Sequence, residues 1–344
     1  MIHINTSQWR TLLRESIALG TSPCHAAAVG RGDEVFFTDV YGNRTEHPEP
    51  LPLSRGDLFD LASMTKLMAT APVALRLYEE GRLDLDAPLS AFFDAPADKR
   101  DIRIRQLMAH ISGLPAHLPL WRMGIEPGHA AKAILASPLA APVGSQVIYS
   151  CMGFILLGNI VEQVGGAPLD ILAKRYVFDP LGMTRTTFCP SPDTVCVATE
   201  KKPEYPDYIC GAVHDENARF LGGVSGNAGL FAPLDDVIRY AGMLSKRGEG
   251  LLGRDTFEMA VRDVTGSTIE PRGLGFHLFG GGLYPGGSRM SLGSYGHTGY
   301  TGTSLYVDND TGVWVVLLTN RVHYGRDRDI FFVRRRLFHD AVFE

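Results

Sequence analysis

Strand signals sit at the two ends of this chain and helical signals fill its middle, a distribution that few folds can accommodate. Residues 26–30 and 34–41 are rich in β-forming side chains and flank Arg31-Gly32-Asp33, a hairpin turn signal. Residues 303–307 and 312–318 repeat the arrangement around Asn309-Asp310-Thr311. Between these ends, apolar residues recur at helical spacing over 61–80, 102–109, 130–136, 149–164, 168–177 and 234–245, joined by Pro/Gly-rich loops. A further helical pattern over 8–20 carries Trp9, Leu12, Leu13 and Ile17 and stops at Gly20. The pattern predicts an α+β arrangement: one antiparallel sheet assembled from both chain ends with flanking helices, and a mostly helical lobe inserted between. The expected organisation is a single domain over 1–344, with a sheet lobe near 1–60 and 220–344 and a helical lobe near 64–219.

Composition narrows the function classes. With 45% hydrophobic and 21% charged residues, a chain of 344 residues can bury a large core. The net charge of -5 is small for this length, so no nucleic-acid partner is expected. The one block of like charge, Arg334, Arg335 and Arg336, alternates with Ile330, Val333, Leu337 and Val342 at helical spacing, and reads as the solvated face of a C-terminal helix without a function. No basic segment followed by an apolar run opens the sequence, and no stretch has the length of a membrane span. Five scattered cysteines, an odd number with no Cys-x-x-Cys pair, argue against a disulfide framework or a thiolate metal site and suit a reducing cytoplasm. No His-Glu-x-x-His is present, and His110 with His117 reads as a structural loop, so neither metal nor cofactor is expected.

The strongest chemical signal is Phe59-Asp60-Leu61-Ala62-Ser63-Met64-Thr65-Lys66-Leu67-Met68-Ala69-Thr70. A serine and a lysine three apart share one helical face, with Cβ atoms about 5–6 Å apart, so the amine can reach the hydroxyl. A lysine in a helix apolar nearly all round must be paired or lose its charge, and burial is expected to drive it toward the neutral amine, a base beside a nucleophile. A serine in the first turn also receives the helix's unpaired N–H groups where an oxyanion would develop. Pro72, inside the same helix, predicts a kink near Met68.

Two more segments supply what such a pair lacks. Ile148-Tyr149-Ser150-Cys151-Met152-Gly153 places a tyrosine at the head of another apolar helix, and a phenolate stabilised by a nearby ammonium can take the serine proton. Tyr295-Gly296-His297-Thr298-Gly299-Tyr300 is small, polar and glycine-rich before a strand run, a segment that lets substrate backbone approach closely. The Gly-x-Ser-x-Gly elbow of α/β-hydrolases is absent; Gly223-Val224-Ser225-Gly226-Asn227 lacks its closing glycine.

In this order and spacing the segments resemble the serine β-lactamase and penicillin-binding-protein superfamily, in particular its class C-like branch of esterases and D-stereospecific peptidases. The likeness covers residues 26–340 and includes Leu107-Met108-Ala109-His110-Ile111-Ser112-Gly113-Leu114-Pro115 and Gly226-Asn227-Ala228-Gly229-Leu230-Phe231. It implies a β-lactamase/transpeptidase-like fold, Ser63 as the acylated nucleophile, Lys66 as its proton partner and Tyr149 as the base in acylation and deacylation. It further implies that His297, Thr298 and Gly299 line the substrate strand and that the N–H groups of Ser63 and Tyr300 form the oxyanion hole. Cys151 stands where that family carries asparagine, which removes an amide that would grip a substrate carbonyl. His297 replaces lysine, and a mostly neutral imidazole attracts a carboxylate less than an ammonium.

The expectation is a serine hydrolase acting through an acyl-enzyme on small esters or D-amino-acid amides and peptides, with weak or no β-lactamase activity. A non-catalytic binder disabled by Cys151 and an acyltransferase using the same acyl-enzyme are the alternatives. The partner is a small acyl compound, held by an apolar pocket shaped by loops 117–129, 187–215 and 279–290.

Overall fold

The computed structural model describes residues 4–266, 270–282, 284–327 and 329–344; Leu283 of the 279–290 loop and the first three residues lie outside it. Ten strands are described: β1 (Cys24–Arg31), β2 (Glu34–Thr45), β3 (Leu51–Pro52), β4 (Phe59–Asp60), β5 (Thr187–Phe188), β6 (Leu230–Ala232), β7 (His277–Leu278), β8 (Tyr295–Thr298), β9 (Ser304–Val307) and β10 (Val313–Thr319). Seven form one antiparallel sheet in the order β3-β2-β1-β10-β9-β8-β7, so the two chain ends meet at its centre, with Val29 opposite Val315. The β1–β2 turn is two residues, Gly32 and Asp33, and Gly32 takes the positive φ of 55° that such a tight reversal favours.

Alternation along the strands sorts the core into two layers. Ala27, Val29, Val313, Val315 and Leu317 face one side, where Trp9 and Leu13 of the Thr6–Ala18 helix and Phe338 and Val342 of the Ile330–Val342 helix cover them. Ala26, Ala28, Leu305, Val307, Trp314, Val316 and Leu318 face the other, where the Leu234–Ser245 helix packs across β1, β9 and β10. A small sheet, β4-β6-β5, pairs strands from the two lobes, and its strand β4 leads into the turn that carries Ser63. The α+β arrangement expected from the pattern, one antiparallel sheet closed by both chain ends, is the one observed.

Two helices depart from expectation. The stretch 61–80 is not one α-helix with a kink: Lys66–Thr70 is a π-helical turn, closed by Ala71 N–H on Lys66 O, and an α-helix follows over Ala71–Glu79. The wider turn leaves Pro72, which has no N–H to give, in the first turn of the second segment, where it is tolerated. In the C-terminal helix the inward stripe is Phe331, Arg335, Phe338 and Val342, whereas Ile330, Val333 and Leu337 are exposed. Arg335 is therefore buried, and the reading of the arginine triplet as a solvated face is wrong for its central member.

Candidate active site

Ser63 lies in a tight turn between β4 and the Lys66 helix, and the turn is strained: Ala62 has φ of 47°, a region that side chains with a Cβ rarely occupy. Asp60 holds it there. Its buried carboxyl accepts Ala62 N–H at 2.8 Å and His214 N–H at 2.6 Å, and burial raises its pKa. The opposite wall is fastened to the same turn, since Thr301 Oγ donates to Asp60 O (2.8 Å) and Thr303 Oγ to Leu61 O (3.1 Å). Gly299 is required at this seam, because a Cβ there would stand 2.3 Å from Leu61 O. The N–H groups of Ser63 and Tyr300 donate no hydrogen bond among the described residues.

Lys66 is completely buried. Its Nζ donates to Ser63 Oγ at 3.0 Å and to Asn227 O at 2.9 Å, and it lies 3.7 Å from Cys151 Sγ and 5.0 Å from the centre of the Tyr149 ring. Burial pushes the ammonium toward its neutral form, but Cys151 and Tyr149 outweigh burial and hold its pKa above the ordinary value. That direction is opposite to the drift toward a neutral amine expected from burial alone.

Tyr149 precedes its helix instead of heading it. Ser150 is the N-cap of Cys151–Gly165, with its Oγ accepting Gly153 N–H at 3.2 Å and donating to Pro115 O at 2.7 Å. Tyr149 is thus pinned by its neighbour, and its ring is packed by His110, at 4.6 Å between ring centroids, and by His297 at 5.8 Å. His297 is buried; its Nδ1 donates to Thr298 O at 2.7 Å, while Nε2 has no partner. Burial, with Lys66 and Arg272 adding to it, pushes its pKa down to about 3, so the imidazole is neutral. Ser63, Tyr149, His297, Thr298, Gly299 and Tyr300 line one cavity of about 370 Å³, and Cys151 adjoins it through Lys66.

Sequence reasoning missed several residues here. Asp60 and the Asn227 carbonyl orient the Ser63 turn and Lys66, and the second acts through a main-chain atom that leaves no side-chain signature. The remaining lining comes from Glu270, Arg272, His277, Pro285, Arg321, Phe332 and Arg335. Most of the cavity surface is apolar, as expected, but three arginines add positive charge to it, and among the described residues only the 279–290 loop of the three taken to shape it contributes, through Pro285. Arg272 Nη2 meets Glu270 Oε2 at 3.2 Å, and its guanidinium lies 5.4 Å from the Tyr149 ring centroid.

Known proteins resemble this chain in sequence and in fold. A relative from Escherichia coli O157:H7, provisionally named a D-alanyl-D-alanine carboxypeptidase, is 34% identical over 80% of this chain and 71% of its own length. An N-acetylmuramyl-L-alanine amidase of Bacillus subtilis (strain 168) is 31% identical over 94% of this chain and 84% of its own. Among solved structures, EstCE1, a hydrolase with promiscuous acyltransferase activity, superposes with a TM-score of 0.81 at 22% identity, covering 98% of each chain. The octameric penicillin-binding protein homologue from Pyrococcus abyssi gives 0.75 at 20% identity, over 94% of this chain and 75% of its own. The profile of the family described as Beta-lactamase matches residues 9–337, nearly the whole length over which the Ser63 turn, the Tyr149 helix and the His297 strand are assembled, and the chain belongs to that family of hydrolases.

Proposed function

We propose that this protein is a serine hydrolase in which Ser63 forms an acyl-enzyme with small esters or D-amino-acid amides and peptides. The observation that carries the reading is the 3.0 Å contact from Lys66 Nζ to Ser63 Oγ, beside a cavity that Ser63 and Tyr149 line together. Because the ammonium donates to Oγ, the hydroxyl proton of Ser63 must leave in another direction. We assign Tyr149, which lines the same cavity as Ser63, as the group that accepts it and returns it to the leaving group. Lys66 then stabilises the developing Ser63 alkoxide. The free N–H groups of Ser63 and Tyr300 are the donors for the oxyanion of the tetrahedral intermediate. Deacylation repeats the cycle with water, Tyr149 taking its proton.

The names of relatives support a peptide-like acyl substrate, and the Cys151 thiol in place of an amide supports esters over amides. β-Lactams should turn over weakly. All five cysteines are free thiols, which supports placing the enzyme in the reducing cytoplasm, a proposal that cell fractionation checks. No single described helix is long and apolar enough to cross a membrane.

The test is covalent labelling with a fluorophosphonate, followed by hydrolysis of p-nitrophenyl acetate, a D-alanyl amide and nitrocefin. Labelling that disappears in Ser63→Ala, with ester turnover above nitrocefin turnover, is the expected result. A native protein that takes no label is a binder and not a hydrolase. Nitrocefin turnover above the ester's would refute the substrate preference.

A further inference from the structure

Three guanidinium groups line the cavity that holds Ser63, and only one of them has a carboxylate. Arg272, Arg321 and Arg335 are 5%, 4% and 6% exposed. Arg272 is paired with Glu270. Arg321 donates from Nε to Tyr300 O and from Nη1 to Arg326 O, both at 2.9 Å, and carbonyl oxygens leave its charge uncompensated. Arg335 has no carboxylate within 4.0 Å among the described residues, and its buried Nε has no hydrogen-bond partner. No residue outside the description is acidic. The two unpaired cations flank one ring, with guanidinium carbons 4.9 Å (Arg321) and 5.5 Å (Arg335) from the centroid of Phe332.

A buried charge without a counterion is costly, and two such charges beside one cavity repel each other as well. Burial, with Arg321 nearby, pushes Arg335 down to about 10, so it remains charged at neutral pH. The surrounding groups do not neutralise it. His277, His297 and His339 are held neutral by burial, and Tyr306 donates to or accepts from His277 Nδ1 at 3.3 Å. Three guanidiniums against one carboxylate leave two positive charges around the cavity. A monoanionic ligand would leave one of them unmatched.

We propose that the cavity receives a doubly anionic acyl compound, an ester or amide carrying two carboxylates or a phosphate monoester, with Arg321 and Arg335 as its anion subsite. This rests on the Ser63 hydrolase reading for the chemistry, and names the substrate class. The cations come from the segment after β10 and from the C-terminal helix, far in sequence from Ser63, and they supply a field that neutral His297 cannot. Bidentate hydrogen bonding from guanidinium to carboxylate or phosphate is the recognition mode such a pair offers.

Binding is read on Ser63→Ala by calorimetric titration with glutarate, propyl phosphate, butyrate and glutaramide. Glutarate or propyl phosphate should bind about tenfold or more tightly than butyrate, with glutaramide weakest. Whichever dianion binds better identifies carboxylate or phosphate as the natural group. Arg335→Gln should abolish the advantage; if that variant does not fold, the four-ligand series alone decides. Butyrate binding as tightly as both dianions, or a dianion advantage that survives Arg335→Gln, overturns the proposal. p-Nitrophenyl acetate hydrolysis by the unmodified protein is followed in parallel. Absence of hydrolysis with the dianion preference intact removes the Ser63 reading and supports the subsite; Ser63-dependent hydrolysis with no dianion preference removes the subsite alone.

Discussion

The imidazole of His110 packs against the phenol of Tyr149, and its Nδ1 accepts the N–H of the following residue, Ser150, at 3.0 Å. Burial, then Arg272 and Lys66, holds His110 neutral, as that acceptor role requires. One side chain thus fixes both the Tyr149 ring and the helix cap behind it. Its backbone has φ of 58°, a conformation that asparagine tolerates better than most residues. His110→Ala should slow fluorophosphonate labelling of Ser63 by about tenfold, a rough figure for a displaced proton acceptor. His110→Asn, able to keep both the backbone conformation and an acceptor for Ser150, should recover part of the loss. Equal labelling rates in His110→Ala and the unmodified protein would show that Tyr149 needs no such support.

Cys151 offers Lys66 a weak sulfur contact and offers a substrate carbonyl nothing comparable to an amide N–H. Cys151→Asn should therefore raise kcat/KM for D-alanyl amides relative to p-nitrophenyl acetate by about tenfold, the worth of one added hydrogen bond. An unchanged amide-to-ester ratio would mean that the thiol does not limit amide turnover.

Gly226 sits where the Asn227 segment crosses the Cys151–Gly165 helix: a Cβ there would lie 2.0 Å from Phe154 O and 3.0 Å from Gly158 Cα. Gly226→Ala must push the segment off the helix, at about 1–3 kcal/mol, and carry the Asn227 carbonyl away from Lys66. A lower Tm together with slowed Ser63 labelling is expected. A lower Tm with labelling at full rate would separate the Asn227 contact from reactivity.

Acid should destabilise the protein before its carboxylates titrate. His339, wholly buried between β9 and the C-terminal helix, is pushed from 6.5 to about 3, chiefly by burial and then by Arg335. Between those values the unfolded chain binds a proton that the folded chain does not. The share that His339 contributes is complete above pH 6.5 and declines as pH falls, at up to about 1.4 kcal/mol per pH unit, with His110, His277 and His297 acting in the same direction. Tm measured from pH 7 to pH 5 should fall, and His339→Phe should flatten that slope. An identical slope in the variant would assign the acid sensitivity to other groups.

The outline of the fold was legible because strand runs with a period of two sit at both ends, and a sheet closed by both ends is the compact way to bury them. Ser63, Lys66 and Tyr149 could be found because each is a polar residue in an apolar segment. The direction in which the Lys66 amine is shifted could not, since it depends on Cys151 and Tyr149 arriving from a segment about 85 residues away, as its contact with Cys151 shows. Arg335 was misread for a different reason: Ile330, Val333 and Leu337 form a helical stripe as convincing as Phe331, Phe338 and Val342, and only the packing on Val315 and Leu317 decides which stripe turns inward. Asp60 and Asn227 act through backbone partners, which spacing does not reveal.

The last strand of the sheet, β10, occupies a central position between β1 and β9. During synthesis on a ribosome, β1 and β2 can form their hairpin early, yet the hairpin's inner edge stays open until residue 319 has emerged. The Ser63 turn is fastened through Thr301 and Thr303, which also arrive late. Nascent chains stopped short of β10 should therefore be inert and prone to sticking together, and catalytic competence should appear abruptly, as the final event of maturation.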